Sequence, residues 1–206
     1  MVAKGDEANM TPRRSSRERT RVALFDAALV EFARHGFRDT THADLAASVG
    51  IGRTTFYEYF DSTEDLLVQL VEERLPVVVA EIVDAMPTDA SAVDRMTELG
   101  VRTVEFVGLD HLGLILHTES MRMTEESQQR ISAAHSGLVG AFAQVYTEGV
   151  SMGVFRELPG RFAGQLMFQT VMGAGRAIMD SAEPKKQAHE IAETAIDFLI
   201  RGLASD

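Results

Sequence analysis

The chain contains no cysteine. That excludes disulfides, thiolate metal sites, cysteine nucleophiles and redox sensing through a thiol. It also lacks any apolar run near the ~18 residues that a membrane-spanning helix needs. The N-terminal residues have no apolar signal-peptide core, so the expected location is the cytoplasm, with no membrane partner. No alternating apolar–polar stretch reaches convincing strand length, and no internal repeat is visible. His35, His42, His111, His117, His135 and His189 include no pair at the i, i+4 spacing of a helical metal site, so neither a metal nor a cofactor is expected. Ser136 lies between His135 and Gly137 in a helical pattern, not on the strand–turn–helix elbow of a hydrolase. Gly173-Ala174-Gly175 lacks the preceding strand and third glycine of a dinucleotide fingerprint. With no catalytic constellation visible, an enzyme is not expected.

What is present is an ordinary globular composition, 45% hydrophobic over 206 residues, enough for one large domain or two small ones. The formal net charge of −11 is unevenly spread. Up to Phe60, nine basic residues face eight acidic ones, whereas the rest carries eleven against twenty-three. Within the first part, Arg13, Arg14, Arg17, Arg19 and Arg21 fall inside nine residues. A basic arm of this density is a candidate phosphate clamp, because cationic side chains displace the counterions of a nucleic-acid backbone.

Helical periodicity runs almost throughout, which predicts an all-α protein. Residues 1–15 are polar and predict a disordered basic arm. A first helix spans about 16–35, with Val22, Phe25, Ala28 or Leu29, and Phe32 as its apolar stripe; Gly36 ends it and Phe37 follows as the apolar residue beyond the cap. A helix from about residue 62 carries Leu66, Leu67, Leu70 and Val71, meets Pro76 and ends before Pro87-Thr88-Asp89. Further helices are predicted over 90–107, 109–121, 124–152, 161–180 and 186–203, with 153–159 as an anchored loop.

Residues 40–66, TTHADLAASVGIGRTTFYEYFDSTEDL, carry the most information. Two short helical patterns, Thr41 to Val49 and Arg53 to Tyr59, flank the corner Gly50-Ile51-Gly52, where Gly50 supplies a positive φ. Thr41-x-x-Asp44 and Ser62-x-x-Asp65 read as capping boxes. Leu45, Ala46, Val49, Ile51, Phe56 and Phe60 can close a small core, leaving Arg53, Thr54, Thr55, Tyr57 and Tyr59 outward. Arginine suits guanine or phosphate, threonine a thymine methyl or phosphate, and tyrosine a phosphate. The pattern is a helix-turn-helix whose second helix would enter the major groove of double-stranded DNA.

This stretch resembles the DNA-binding domain of the tetracycline-repressor (TetR) family of bacterial regulators. The family pattern, T-T-x-x-x-[IL]-A-x-x-A-G-V-S-x-G-T-x-Y-x-H-F-x-S-K-E-x-L, is met by Thr40, Thr41, Leu45, Ala46, Gly50, Ile51, Thr55, Tyr57, Phe60, Ser62, Glu64 and Leu66. The resemblance covers roughly residues 17–75. Gly52 stands where Ser or Thr usually caps the recognition helix, Thr54 where a small residue is common, and Tyr59 where His is frequent. Asp61 and Thr63 replace frequent lysines, which removes positive charge from the DNA edge. Candidate DNA contacts are therefore Arg13, Arg14, Arg17, Thr41, Gly52, Arg53, Thr54, Thr55, Tyr57 and Tyr59.

The resemblance further implies a helix-turn-helix domain at 16–60, a connecting helix at 61–86, and an effector-binding and dimerisation domain at 87–206. It implies a homodimer through residues 161–203, a palindromic operator, and a small, largely apolar effector whose binding releases a repressor from DNA. In residues 162–180 large apolar side chains interleave with Gly164, Gly173, Ala174 and Gly175, which fits either a dimer seam or a monomer core. Candidate effector-pocket residues are Met96, Thr103, Phe106, His117, Met121, His135, Phe142, Phe168, Gln169 and Met172; methionine suits a pocket that tolerates varied apolar ligands. Two other functions stay open from the residues alone. One is a helical enzyme that borrows a helix-turn-helix corner. The other is a protein-interaction module in which Glu58, Asp61, Glu64 and Asp65 keep DNA away.

Overall fold

The computed structural model describes residues 12–159 and 161–205, without the side chains at positions 12–15, 111, 114 and 117. Among the described residues there are ten α-helices and one short 3-10 turn, and no strand beyond a single antiparallel bridge between Phe155 and Ala204. The all-α expectation holds. The chain divides into two compact units, one up to Leu67 and one from Val68 onward. The division falls inside a helix, so the expected connecting segment is shared between them.

The first unit contains α1 (Pro12–His35), α2 (His42–Ser48), α3 (Arg53–Phe56) and the start of α4 (Thr63–Asp84). Helix α1 begins at Pro12, four residues earlier than its apolar stripe indicated, and it takes in part of the expected arm; residues 1–11 lie outside the described residues. Its buried face is Leu24, Phe25, Ala28 and Phe32, while Val22 is 42% exposed and points away. Gly36 closes the helix at φ +83°, its N–H donating to Phe32 O at 2.9 Å, and Phe37 packs on Phe32 with ring centres 5.2 Å apart. Phe25 and Phe60 meet at 5.4 Å, and Phe60 also meets Phe56 at 5.8 Å, so the three rings tie α1 to the segment around α3.

The second unit holds the rest of α4, then α5 (Ala92–Leu109), α6 (His111–Glu119), the 3-10 turn (Ser120–Arg122), α7 (Glu125–Ala134), α8 (Ser136–Ser151), α9 (Phe162–Asp180) and α10 (Pro184–Leu203). Pro76 lies inside α4 without ending it. The single helix expected over 124–152 is broken at His135, whose ring Nδ1–H donates to Ile131 O at 2.8 Å and takes up a carbonyl at the end of α7. Helix α5 is central: Met96, Val101, Val104 and Val107 share one core with Val145 of α8, Met167, Val171 and Ile178 of α9, and Ala192, Ile196 and Leu199 of α10. The approach of α5 to α9 depends on missing side chains. A Cβ on Gly175 would lie 2.4 Å from Val107 Cγ1, and one on Gly108 would lie 2.7 Å from Ile178 Cβ. The loop after α8 is stitched to the end of α10 by Arg156 N–H to Leu203 O at 2.8 Å and Ser205 N–H to Val154 O at 3.0 Å, which seals Phe155 into the core.

Candidate nucleic-acid interface

Thr41 and Asp44 form both halves of a capping box. The Thr41 hydroxyl oxygen accepts the Asp44 N–H at 3.2 Å, and the Asp44 carboxylate accepts the Thr41 N–H at 2.9 Å. The Thr41 hydroxyl also reaches Asp44 Oδ2 at 2.6 Å. These bonds, the side-chain one foremost, hold the Asp44 carboxyl below its ordinary range. Thr41 is thus committed to starting α2, though it stays exposed at that end. The corner follows as expected, with Gly50 at φ +73°. Gly52 is the N-cap of α3 and supplies no side-chain hydrogen bond.

Helix α3 is shorter than the sequence indicated. It covers Arg53–Phe56, and Tyr57 to Tyr59 form a following turn in which Glu58 N–H donates to Thr55 O and Tyr59 N–H to Phe56 O. Phe56 is fully buried, whereas Arg53 and Thr54 are exposed and Thr55 is half-buried. Tyr57 is 45% exposed. Tyr59 is half-buried beneath an arginine: the Arg17 guanidinium carbon sits 5.5 Å from the Tyr59 ring centre, and Arg17 Nη2 donates to Glu58 O at 2.8 Å. Arg17 was expected to reach outward to phosphate; here it is engaged inward. Arg21 lies over Phe25 at 4.7 Å and pairs with Glu18 at 3.8 Å. The side chains of Arg13 and Arg14 lie outside the described residues. At α4, Asp65 N–H donates to Ser62 Oγ at 3.0 Å, but the Asp65 carboxylate reaches Asp61 N–H at 3.1 Å, so this box closes one residue earlier than the expected form.

The candidates for an effector pocket divide into two groups. Met96 is fully buried in the α5 core, and Phe106, Phe142 and Met172 pack against that same core half-buried. Thr103 is buried, with its hydroxyl donating to Leu99 O at 2.6 Å. His135 sits at the break between α7 and α8. Met121, on the 3-10 turn, is 80% exposed, Phe168 is 60% exposed, and Gln169 faces outward; these three are not brought to the core. The His117 side chain lies outside the described residues. Gln169 instead lines an open groove of about 720 Å³ on the outer faces of α9 and α10, together with Thr170, Gly173, Ala177, Gln187, Ile191, Thr194 and Phe198.

Residues 24–70 match the profile of the bacterial regulatory proteins of the tetR family. Over that span the chain is similar to the DNA-binding domain of the TetR family. Among the relatives of this chain, the fatty acid metabolism regulator protein of Bacillus subtilis is 25% identical over 152 residues, covering 73% of this chain and 78% of the relative. The transcriptional repressor KstR2 of Mycobacterium tuberculosis is 25% identical over 138 residues, covering 66% and 69%. A solved structure of FadR from Bacillus subtilis in complex with stearoyl-CoA superposes with a TM-score of 0.74 at 21% identity, over 88% of this chain and 98% of that one, which shows the same fold. The chain is therefore similar, over its helix-turn-helix, to the DNA-binding domain of this family, and its named relatives are transcriptional regulators.

Two features of the first unit escaped sequence reasoning. The His42 ring packs at 6.0 Å from Phe56 and 5.1 Å from Tyr57, with its Nε2 buried and unpartnered among the described residues. Position 42, the first residue of α2, gave no sequence signal for this, because the contact is made across the corner. The other is the Arg17–Tyr59 pair, which joins residues far apart in the chain through a turn that was expected to be helix.

Proposed function

We propose that the protein is a homodimeric repressor that leaves a palindromic operator when a largely apolar small molecule binds its C-terminal unit. The observation that carries this is the pairing of an exposed recognition segment, Arg53 to Tyr57, with an unusually apolar outer face on α9 and α10. Phe198, 77% exposed, lines the groove at Gly173, and Phe162 at the start of α9 is 48% exposed. Exposed apolar area of this kind marks an interaction surface, and two helices from each of two copies would make a four-helix seam. Residues 161–203 are then the dimer interface, and the dimer sets two recognition helices in major grooves about 34–36 Å apart.

In this reading Arg53, Thr54, Thr55 and Tyr57 meet the groove and Thr41 and Gly52 approach phosphate. Arg13 and Arg14 add phosphate contacts ahead of them. The effector site draws on Met96, Phe106, Phe142 and Met172 around α5. The names of the relatives, a fatty acid metabolism regulator and a protein solved with stearoyl-CoA, support an effector with a long acyl or comparably apolar part. Helix α4 runs without interruption from the first unit into the second, which supports it as the element that carries the signal. The effector shifts the equilibrium only by as much as it binds the two states unequally. The protein acts by binding, with no catalytic step, and works in the cytoplasm where its DNA lies. Light scattering combined with DNA-binding titrations in the presence and absence of stearoyl-CoA tests this. A micromolar dimer that releases DNA on adding stearoyl-CoA is expected. A monomer overturns the assembly, and DNA binding indifferent to stearoyl-CoA overturns the acyl effector.

A further inference from the structure

Arg17 belongs to α1, yet its guanidinium ends at the far side of the recognition segment. It donates to Glu58 O at 2.8 Å and lies over the Tyr59 ring at 5.5 Å. Helix α3 has only four residues, and the turn after it includes Glu58, whose carbonyl takes the Arg17 donor. Such carbonyls need donors, and a cation near the C-terminal end of a helix also opposes its negative pole. Tyr59 is held in turn, because its ring neighbours Phe60 at 6.4 Å and Phe60 is buried against Phe25 and Phe56. The guanidinium therefore spans from α1 to the exit of the recognition segment through one hydrogen bond and one ring face.

We propose that Arg17 is a positioning residue for sequence-specific DNA recognition, a brace that fixes the angle of the recognition segment through Glu58 and Tyr59, and not a phosphate ligand. This rests on the DNA-binding reading above. Two arguments favour the brace. A planar guanidinium can stack on a ring and donate in its own plane at once, which an ammonium cannot reproduce. Phosphate contact would require Arg17 to leave both partners. The two roles also make opposite demands on substitution. A phosphate contact depends on charge and contributes equally on any DNA, and its loss makes the salt dependence shallower by about 0.9 per phosphate. A brace depends on shape and contributes only where the recognition segment must fit bases.

The test uses the full chain and two duplexes: one selected from a random-sequence pool by the wild-type protein, and a shuffled duplex of the same length. Arg17→Lys keeps the charge and loses the planar fork; Arg17→Met removes the charge and keeps most of the stem. Both should weaken binding to the selected duplex by roughly five- to twentyfold, the scale of a stacked, charge-assisted contact. Both should leave the shuffled duplex and the salt slope unchanged. Tyr59→Leu should produce the same selective loss, and adding Arg17→Met to it should change little more. The proposal is overturned if Arg17→Lys binds like wild type while Arg17→Met loses affinity equally on both duplexes with a shallower slope. It is overturned as well if neither variant changes binding to the selected duplex. If the wild-type protein enriches no sequence from the pool, the DNA-binding reading itself has failed, a result separate from either outcome for Arg17.

Discussion

Arg130 on α7 holds both carboxylate oxygens of Glu72 on α4, Nε donating to Oε1 at 2.8 Å and Nη2 to Oε2 at 2.7 Å. Glu72 sits four residues before Pro76, which has no N–H to offer the Glu72 carbonyl. The helix is thus gripped from the side at the turn where its own ladder is weakened. The two side chains remain 34% and 38% exposed, so screening by water limits what the pair contributes. Arg130→Ala should cost under ~1 kcal/mol, and less in high salt. Urea unfolding at two salt concentrations checks this; a salt-insensitive loss above ~2 kcal/mol would show a desolvated network instead.

The close approach of α5 and α9 makes a sharper claim. Gly175→Ala brings a Cβ to 2.4 Å from Val107 Cγ1 and should destabilise by ~1–3 kcal/mol. Pairing it with Val107→Ala should cost less than the two single losses added together, because the smaller side chain vacates the contested space. Denaturant titration of the four proteins of that cycle decides it, and strict additivity would mean the helices simply shift apart.

Gly173 behaves differently, although it lies two residues away. Nothing stands within 4 Å of a Cβ placed there, so Gly173→Arg is tolerated within one chain. On the proposed seam it would push a second copy away. Light scattering should show a folded monomer that no longer binds a two-fold-symmetric duplex. A dimeric Gly173→Arg protein would move the interface off this face.

These three positions show what the sequence could and could not reveal. Local signals were legible: the Thr41–Asp44 box, Gly36 and Gly50 act within a few residues of themselves, and each appears where expected. The helical pattern was legible for the same reason. Which way a helix faces was not. Gly173 and Gly175 look alike in sequence, and only the rotation of α9 against α5 sends one to the surface and the other to the core. Val22 fitted the spacing of the α1 stripe as well as Leu24, but Leu24 is the buried residue. The shortening of α3, the break at His135 and the inward turn of Arg17 all depend on partners distant in the chain. Of the effector candidates, Met96, Phe106, Phe142 and Met172 converge on one core, while Met121, Phe168 and Gln169 do not, since apolar or amide character does not encode direction.

His189 provides a pH-dependent tie between two helices of that core. Its Nδ1 lies 2.9 Å from Glu105 Oε1 on α5 and its Nε2 3.3 Å from Glu193 Oε1 on α10. The hydrogen bond to Glu105, then the charge of Glu193, raise its pKa above the ordinary 6.5. The protonated form is the one favoured by folding. Its stabilisation is therefore complete below 6.5 and is lost as pH rises through the raised value. Wild type should melt above His189→Gln at about pH 5.5, and the gap should close by about pH 8.5. A gap that stays constant or widens with pH would refute this tie.

Arg53 opens α3 and is exposed, where a guanidinium can fork to guanine O6 and N7. Arg53→Ala should cost ~1–3 kcal/mol on the preferred duplex and relax the preference at one base pair in each half-site. Competition titrations with single-base variants of that duplex measure this. An equal loss on every variant would reassign Arg53 to phosphate, and no loss would remove it from the interface.

The most direct measurement of the central claim is selection from a random duplex pool by the protein, followed by footprinting of the enriched sequence. A symmetric dimer carrying two recognition segments should enrich an inverted repeat whose half-site centres are separated by one helical turn, about 34–36 Å, or a multiple of it. Protection should then fall on successive major grooves of one face. Enrichment of a single unpaired half-site, or of no sequence at all, would contradict the account.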